Sequence, residues 1–97
     1  MSGFAITRGK GFHLTFDNGW TASVQFGPYN YCSNYDRPGS LAASAALLEA
    51  KADIESETAE IAAWDAEGNW YEFDGDTVDG YKSPAEVLAF LTMVAAL

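Results

Sequence analysis

The stretch from residue 11 to residue 26 reads GFHLTFDNGWTASVQF, and it decides the fold. Two alternating runs flank Asp17-Asn18-Gly19, a pattern typical of a β-hairpin. A two-residue turn at Asn18-Gly19 would mix apolar and polar side chains on both faces. A three-residue turn over 17–19 pairs Phe16 with Trp20 and leaves one face apolar. Because a one-residue slip moves every side chain to the wrong face, the three-residue turn is favoured, with glycine in its left-handed position.

The predicted register sorts the side chains of this hairpin into two faces. On the apolar face, Leu14 lies opposite Ala22 and Phe12 opposite Val24. The polar face carries His13, Thr15, Thr21, Ser23 and Gln25. A short strand is also predicted before the hairpin, over residues 4–8, with Phe4 and Ile6 on one side.

The amino-acid composition limits the class of protein. The 97 residues, 48% of them hydrophobic, predict one globular domain over residues 1–97. No apolar run approaches the roughly 20 residues of a membrane span, and the N-terminal residues lack the apolar core of a signal peptide. The single cysteine cannot form an internal disulfide. We therefore expect a cytoplasmic protein with no membrane partner.

Charge is unevenly distributed along the chain. The net charge is −9, yet residues 1–40 carry three bases and two acids, while residues 41–97 carry twelve acids and two lysines. Phosphate backbones would repel the second half, so direct nucleic-acid binding is not expected. The acidity either serves solubility or attracts a basic surface, including one that normally binds nucleic acid.

Residues 27–57 interrupt the strand pattern. Residues 27–39 read GPYNYCSNYDRPG and predict a loop framed by Gly-Pro and Pro-Gly. Its tyrosines, Tyr29, Tyr31 and Tyr35, either form a recognition surface or pack on the sheet. Residues 40–57 favour a helix that ends near Asp53 or Glu55. On a continuous helix, Glu49, Asp53 and Glu57 would form one acidic stripe, either solvated or binding a partner.

A second hairpin is predicted over residues 58–73, TAEIAAWDAEGNWYEF. A three-residue turn over 66–68 pairs Trp64 with Trp70 and Ile61 with Phe73. The Ile61 face is expected to be buried. The other face carries the tryptophan pair and Glu60, either covered by another element or exposed for a partner.

The last segment predicts a helix. Residues 74–81 predict a turn-rich connection. Ser83 is then the expected N-cap, Pro84 the first helical residue, and Glu86 the partner in a capping box. The helix is expected to run to residue 97, and it is apolar nearly all round. This composition predicts burial on most sides, against the sheet and at a second surface that could be a subunit interface.

Candidate chemistry is sparse. Cys32 and His13 could form a nucleophile and base only within hydrogen-bond reach. Asp74, Asp76 and Asp79 resemble part of a calcium loop, but position twelve is Ala85 rather than a closing glutamate. No phosphate-binding glycine motif or nucleophile elbow is present in the sequence. We therefore expect no catalytic, cofactor-binding or metal-binding residues and no enzymatic activity.

Three segments of the chain together resemble a group of small uncharacterised proteins encoded by bacteriophages and prophages: GFHLTFDNGWTASVQFGPYNYCSNY, AEIAAWDAEGNWYEF and SPAEVLAFL. The resemblance implies a phage accessory protein in the bacterial cytoplasm. It implies no activity. By analogy, small acidic phage proteins such as anti-CRISPR proteins act by binding a host protein.

The sequence thus predicts an α+β fold: an antiparallel sheet of four or five strands in two hairpins, a C-terminal helix on one face, and a helical or irregular insertion between the hairpins. The predicted function is non-enzymatic binding of a host macromolecule, which would inhibit a bacterial defence or nucleic-acid-binding protein through an acidic surface. The predicted partner-binding residues are Tyr29, Tyr31, Tyr35, Trp64, Trp70, Glu49, Asp53, Glu57 and Glu60. The alternative is an assembly protein that forms a homodimer through the C-terminal helix.

Overall fold

A computed structural model describes residues 2–8, 10–27, 29–35 and 55–97. They form a five-stranded antiparallel sheet in the order β1-β2-β3-β4-β5, followed by one helix. The strands are β1 (Gly3–Ile6), β2 (Gly11–Thr15), β3 (Thr21–Gln25), β4 (Ala59–Trp64) and β5 (Asp79–Lys82), and the helix is α1 (Pro84–Ala95). This architecture confirms the predicted α+β class. The predicted helix over residues 40–57 lies largely outside the described residues, and residues 55–58 are not helical.

The first hairpin has the predicted register. Phe12 lies opposite Val24, and Leu14 lies opposite Ala22. The backbone N–H of Phe16 donates to the carbonyl of Trp20, which closes a three-residue turn. Gly19 has a φ of 88°, a conformation that side chains with a Cβ rarely adopt. The local sequence pattern was therefore sufficient to predict both the turn and the pairing.

The hydrophobic core lies between one face of the sheet and α1. Phe90 and Val94 of α1 are buried against small and branched side chains of the central strands, namely Ala22, Val24, Ala59, Ile61 and Ala63. Among the described elements, α1 contacts β3, β4 and β5. The predicted capping box is present: Ser83 accepts a hydrogen bond from the backbone of Glu86, and the Glu86 carboxylate accepts one from the backbone of Ser83.

The helix is less buried than its composition predicted. Phe90 and Val94 are its buried residues, whereas Leu88 is 66% exposed. The expectation of burial on most sides is wrong for the part of the chain that the structure describes. A short helix lying on a sheet can bury only one stripe of its surface, whatever its other positions carry.

The second hairpin departs from the predicted register after its first pairs. The turn over 66–68 forms as predicted, and Trp64 pairs with Trp70. Beyond that point, Ile61 lies opposite Asp79 of β5 and not opposite Phe73. Phe73 instead pairs with Asp76 across a tight turn. The segment predicted as a connection over 74–81 therefore supplies the fifth strand.

Candidate functional site

We call the face of the sheet opposite α1 the distal face, and several of the predicted partner-binding residues lie on it or next to it. Ile61 and Ala63 of β4 are buried on the α1 side. Because successive side chains of a strand point to opposite faces, Glu60 and Trp64 project from the distal face. They lie four residues apart, about 13 Å along the strand. The distal face thus has an aromatic end at Trp64 and an acidic end at Glu60.

Three rings pack together at the aromatic end. The Trp64 and Trp70 ring centroids lie 4.9 Å apart with an interplanar angle of 46°. The ring of His13, from β2, meets Trp64 edge-on with centroids 5.0 Å apart. Partial burial lowers the pKa of His13 below its ordinary value, which favours the neutral form of the ring. Trp70 remains 49% exposed and is the accessible member of this group.

A turn closed by Asp65 holds Trp70 in place. The Asp65 carboxylate accepts hydrogen bonds from the backbone N–H groups of Glu67 and Asn69, each at 2.9 Å, and from the Asn69 side chain at 3.1 Å. The backbone N–H of Asn69 is the main cause that lowers the pKa of Asp65, with the other bonds adding to it. A carboxylate held by several donors fixes the turn and therefore the direction in which the next residue leaves it.

The segment that carries Trp70 is strongly acidic. Residues 65–76, DAEGNWYEFDGD, contain five carboxylates and no basic residue. Asp65 is bound within its turn, and Asp76 accepts a hydrogen bond from the backbone of Val78. Within the described part of the chain, the carboxylates of Glu67, Glu72 and Asp74 make no hydrogen bond or ion pair, and all three are exposed. An exposed tryptophan is therefore surrounded in sequence by uncompensated negative charge.

The tyrosine-rich loop is attached to the opposite end of the distal face. The Glu60 carboxylate accepts hydrogen bonds from the Asn30 side chain at 3.3 Å and from the backbone N–H of Tyr31 at 3.1 Å. The carbonyl of Tyr31 accepts from the backbone N–H of Tyr81 in β5 at 2.8 Å. A Cβ at Gly80 would lie 2.5 Å from the Cβ of Tyr31. This close approach explains the glycine and shows that the loop packs directly on β5.

Further contacts hold Ser33 and Asn34 of this loop. Ser33 donates from its backbone to the Thr58 hydroxyl at 2.9 Å, and the Asn34 side chain donates to the carbonyls of Phe26 and Glu55. Tyr29 is 67% exposed, with the Lys10 ammonium 5.8 Å from its ring centroid. The backbone of this loop therefore packs on the sheet, while the side chains of Tyr29, Tyr31 and Tyr35 remain exposed.

The structure brings some of the predicted partner-binding residues together and leaves others apart. The structure brings Trp64 and Trp70 into contact and joins Tyr31 to Glu60. Glu57 is exposed just before β4. Glu49 and Asp53 lie outside the described residues, and Glu57 is not helical, so the predicted acidic stripe does not continue to Glu57 on one helix. The role of Glu60 in anchoring the loop was missed, because its partners lie about thirty positions away in sequence.

The structure does not bring Cys32 and His13 together as a reactive pair. Cys32 is buried and its thiol contacts the carbonyl of Gly27 at 3.5 Å, whereas His13 packs on Trp64. Over residues 2–8, 10–27, 29–35 and 55–97, no cluster of three or more histidine, cysteine or acidic side chains could hold a metal ion. The distal face presents the aromatic rings of Trp64 and Trp70 and the carboxylate of Glu60.

Comparison of the chain with protein-family models, with curated proteins and with solved structures finds no match. Within the described residues, α1 falls short of the length and apolar character that a membrane-crossing helix requires.

Proposed function

We propose that this protein is a non-enzymatic binding protein whose distal face binds a basic surface of another protein. One observation carries the proposal: half-exposed Trp70 lies in a twelve-residue segment with five carboxylates and no base. Tryptophan and tyrosine are the side chains most often found at the energetic centre of protein interfaces. A lysine or arginine above the ring of Trp70 would gain cation–π attraction as well as attraction to the nearby carboxylates.

The tyrosine-rich loop would provide a second contact region. The backbone contacts of the loop with Glu60 and β5 order it before binding, which reduces the entropy lost on association. Its exposed tyrosines then add contact area at a low further cost in conformational freedom. We infer that the partner contacts both ends of the distal face, with charge steering the approach and aromatic rings providing affinity.

The proposed biological setting comes from the sequence resemblance. A phage accessory protein in the bacterial cytoplasm would bind a host protein, and an acidic surface suits a host protein that normally binds nucleic acid. The proposed consequence is inhibition of a defence or nucleic-acid-binding protein by occupation of its basic surface.

The proposal can be tested by affinity capture from a bacterial lysate over a range of salt concentrations. We expect the tagged protein to retain a basic host protein at low salt and to lose it as salt rises, because salt screens exposed charges. Trp70→Ala should weaken retention at every salt concentration. The double variant Glu67→Gln, Glu72→Gln should weaken it at low salt and flatten the salt dependence.

Leu88→Ala is the matched control, since Leu88 is an exposed apolar side chain on the opposite side of the sheet. This variant should retain the partner as the wild type does. A captured partner that resists high salt and tolerates Trp70→Ala would contradict the proposed surface.

Self-assembly through α1 is a second candidate function. Leu88 is 66% exposed, and the single charged residue of α1 is Glu86 in its first turn. An uncharged outer helix surface favours contact with another copy. Light scattering coupled to size exclusion tests this function, since a strict monomer at all concentrations removes it.

A further inference from the structure

The edge strand β1 exposes two large apolar side chains on the α1 side of the sheet. Phe4 is 87% exposed and Ile6 is 84% exposed. Phe4 pairs with Leu14 and Ile6 with Phe12, so both extend the apolar face of the first hairpin. Among the described elements, α1 contacts neither β1 nor β2. This part of the apolar face is therefore uncovered within the described structure.

The backbone of β1 also presents unused hydrogen-bonding groups. The backbone N–H of Thr7 donates inward, to the carbonyl of Gly11. Alternate residues of an antiparallel strand direct both backbone groups to the same side. Thr7, Ala5 and Gly3 therefore bond to β2, whereas the N–H and C=O groups of Phe4 and Ile6 point away from the sheet. Such an edge can accept another strand.

We propose that β1 pairs with β1 of a second copy of this chain, in antiparallel register about a two-fold axis beside Ala5. This register places Phe4 opposite the partner's Ile6 and Ile6 opposite the partner's Phe4. The outward backbone groups of these two residues then form four hydrogen bonds, and none of them is left unpaired. Each cross-strand pair joins an aromatic to a β-branched side chain, a favourable combination. The strand is thus complementary to itself, as a two-fold interface requires.

Charge distribution favours a second copy over a charged partner at this edge. Residues 3–6 carry no charge, and residues 1–40 are nearly neutral, whereas most acids lie in residues 41–97. Pairing through β1 brings together two uncharged strands. A strongly basic partner would gain little attraction here and would be drawn to the acidic segment after β4.

The contact is small, which sets its expected strength. Four residues from each copy bury less than the roughly 800 Å² per partner of a standard interface. The dimer should therefore dissociate on dilution. The interface is independent of the proposed function. Trp70 pairs with Trp64 of β4, and β2 and β3 lie between β4 and β1.

Analytical ultracentrifugation of the full chain, from low micromolar to millimolar concentration, tests the dimer. We expect the apparent mass to rise towards twice that of the monomer. Ile6→Lys should keep the protein monomeric over the whole range, because a charge at the edge opposes strand pairing and Ile6 makes few contacts within the monomer. Leu88→Lys is the matched control and should dimerise as the wild type does.

Crosslinking tests the register. Residues that face each other without exchanging hydrogen bonds have Cα atoms about 4.5 Å apart, within the range that a disulfide spans. Ala5→Cys should therefore form a covalent dimer under mild oxidation. Ser2→Cys should not, because the register places Ser2 opposite the partner's Arg8. Native Cys32 is buried and should remain unreactive in both variants.

The results would decide between the occupants of this edge. A dimer that Leu88→Lys abolishes and Ile6→Lys preserves would overturn the proposal in favour of α1. A protein that stays monomeric up to millimolar concentration would also overturn it, as expected if another part of the chain or a different partner covers Phe4 and Ile6. Equal crosslinking of Ala5→Cys and Ser2→Cys would overturn the register.

Discussion

The first hairpin, β2 and β3, can be compared with the second, which leaves β4 at Trp64. Each turns through three residues and ends its turn on a glycine with positive φ, 88° at Gly19 and 87° at Gly68. After the first turn, five residue pairs form in register. After the second, the paired strand is interrupted, and β5 begins at Asp79. Two similar turns are therefore followed by different structures, a continuous strand after the first and an interrupted one after the second.

The difference arises from the residues that come after each turn. After Gly19 the chain alternates without interruption through Thr21–Gln25. After Gly68 it reaches Asp74-Gly75, where both residues have positive φ, 50° and 95°. A two-residue hairpin turn of the primed type requires this geometry, and Asp-Gly is among its preferred sequences. The second local turn thus redirects the chain before Phe73 can pair with Ile61.

The Phe73 side chain packs against the hydrophobic core. Its ring lies 5.5 Å from that of Phe90 and 5.0 Å from that of Tyr71. Residues 69–71 keep backbone hydrogen bonds to the end of β4, and Phe73 adds packing on Phe90 of α1. The first hairpin thus continues as a regular ladder, whereas the second is joined in part by aromatic packing on the helix.

The largest expected effect on stability comes from removing the Phe90 ring, on which Phe73 packs. Phe90→Ala should lower the free energy of unfolding by about 3–5 kcal/mol, because it leaves a cavity beneath Phe73 and the central strands. Urea denaturation measures the change. Leu88→Ala is the control on the exposed side of α1 and should stay within about 0.5 kcal/mol of the wild type. Equal losses in the two variants would show that Phe90 is not the anchor.

A smaller effect is expected at the turn that redirects the second hairpin. Gly75→Ala introduces a Cβ at a φ of 95°. The change should lower the free energy of unfolding by about 1–2 kcal/mol. The control is Gly3→Ala in β1, where an added Cβ meets nothing within 4 Å. That change should be neutral or slightly stabilising, since alanine loses less backbone freedom on folding than glycine does. Thermal unfolding of both variants distinguishes strain from a general effect of replacing glycine.

A third contrast lies between the two turns themselves. The Asn18 side chain donates to the carbonyls of Val94, Ala95 and Leu97 at 2.9, 3.2 and 3.2 Å, so the first turn caps the C-terminal end of α1. The equivalent position in the second turn is Glu67, which makes no such contact among the described residues. Asn18→Ala should cost about 1 kcal/mol in urea denaturation. Glu67→Ala should leave the free energy of unfolding nearly unchanged. A larger loss of stability in Glu67→Ala than in Asn18→Ala would contradict the capping role of Asn18.

These comparisons show which features a sequence pattern can predict. The register of the first hairpin, the turn at Gly68 and the capping box at Ser83 depend on residues within a few positions of each other. The cap from Asn18 spans 76 positions and the anchoring of Asn30 by Glu60 spans 30, so no local pattern contains them. β5 was missed for another reason. The Asp-Gly turn signal was present, but it was interpreted as part of a turn-rich connection over 74–81 and not as a turn that leads into a strand.

The candidate site was predictable in part for the same reason. Pairing of Trp64 with Trp70 depends on the length of one turn and was correct. Placement of His13 against Trp64 depends on two strands that are separated by β3, and alternation alone could not predict it. The residue types of the site were thus visible in the sequence, whereas their association depended on sheet topology.

The smallest expected effect concerns the charge of Asp65, which closes the second turn. Hydrogen bonds from the backbone of Asn69 and its neighbours lower the pKa of Asp65 below its usual value of 3.8. A carboxyl whose pKa is lower in the folded state stabilises the protein above pH 3.8 and loses that contribution as the pH falls through the folded value. Asp65→Asn should therefore be less stable than the wild type at neutral pH, with the difference shrinking below pH 3.8. Urea denaturation of both proteins across this range measures it. A difference that does not change with pH would show that the shape of the side chain, and not its charge, closes the turn beside Trp70.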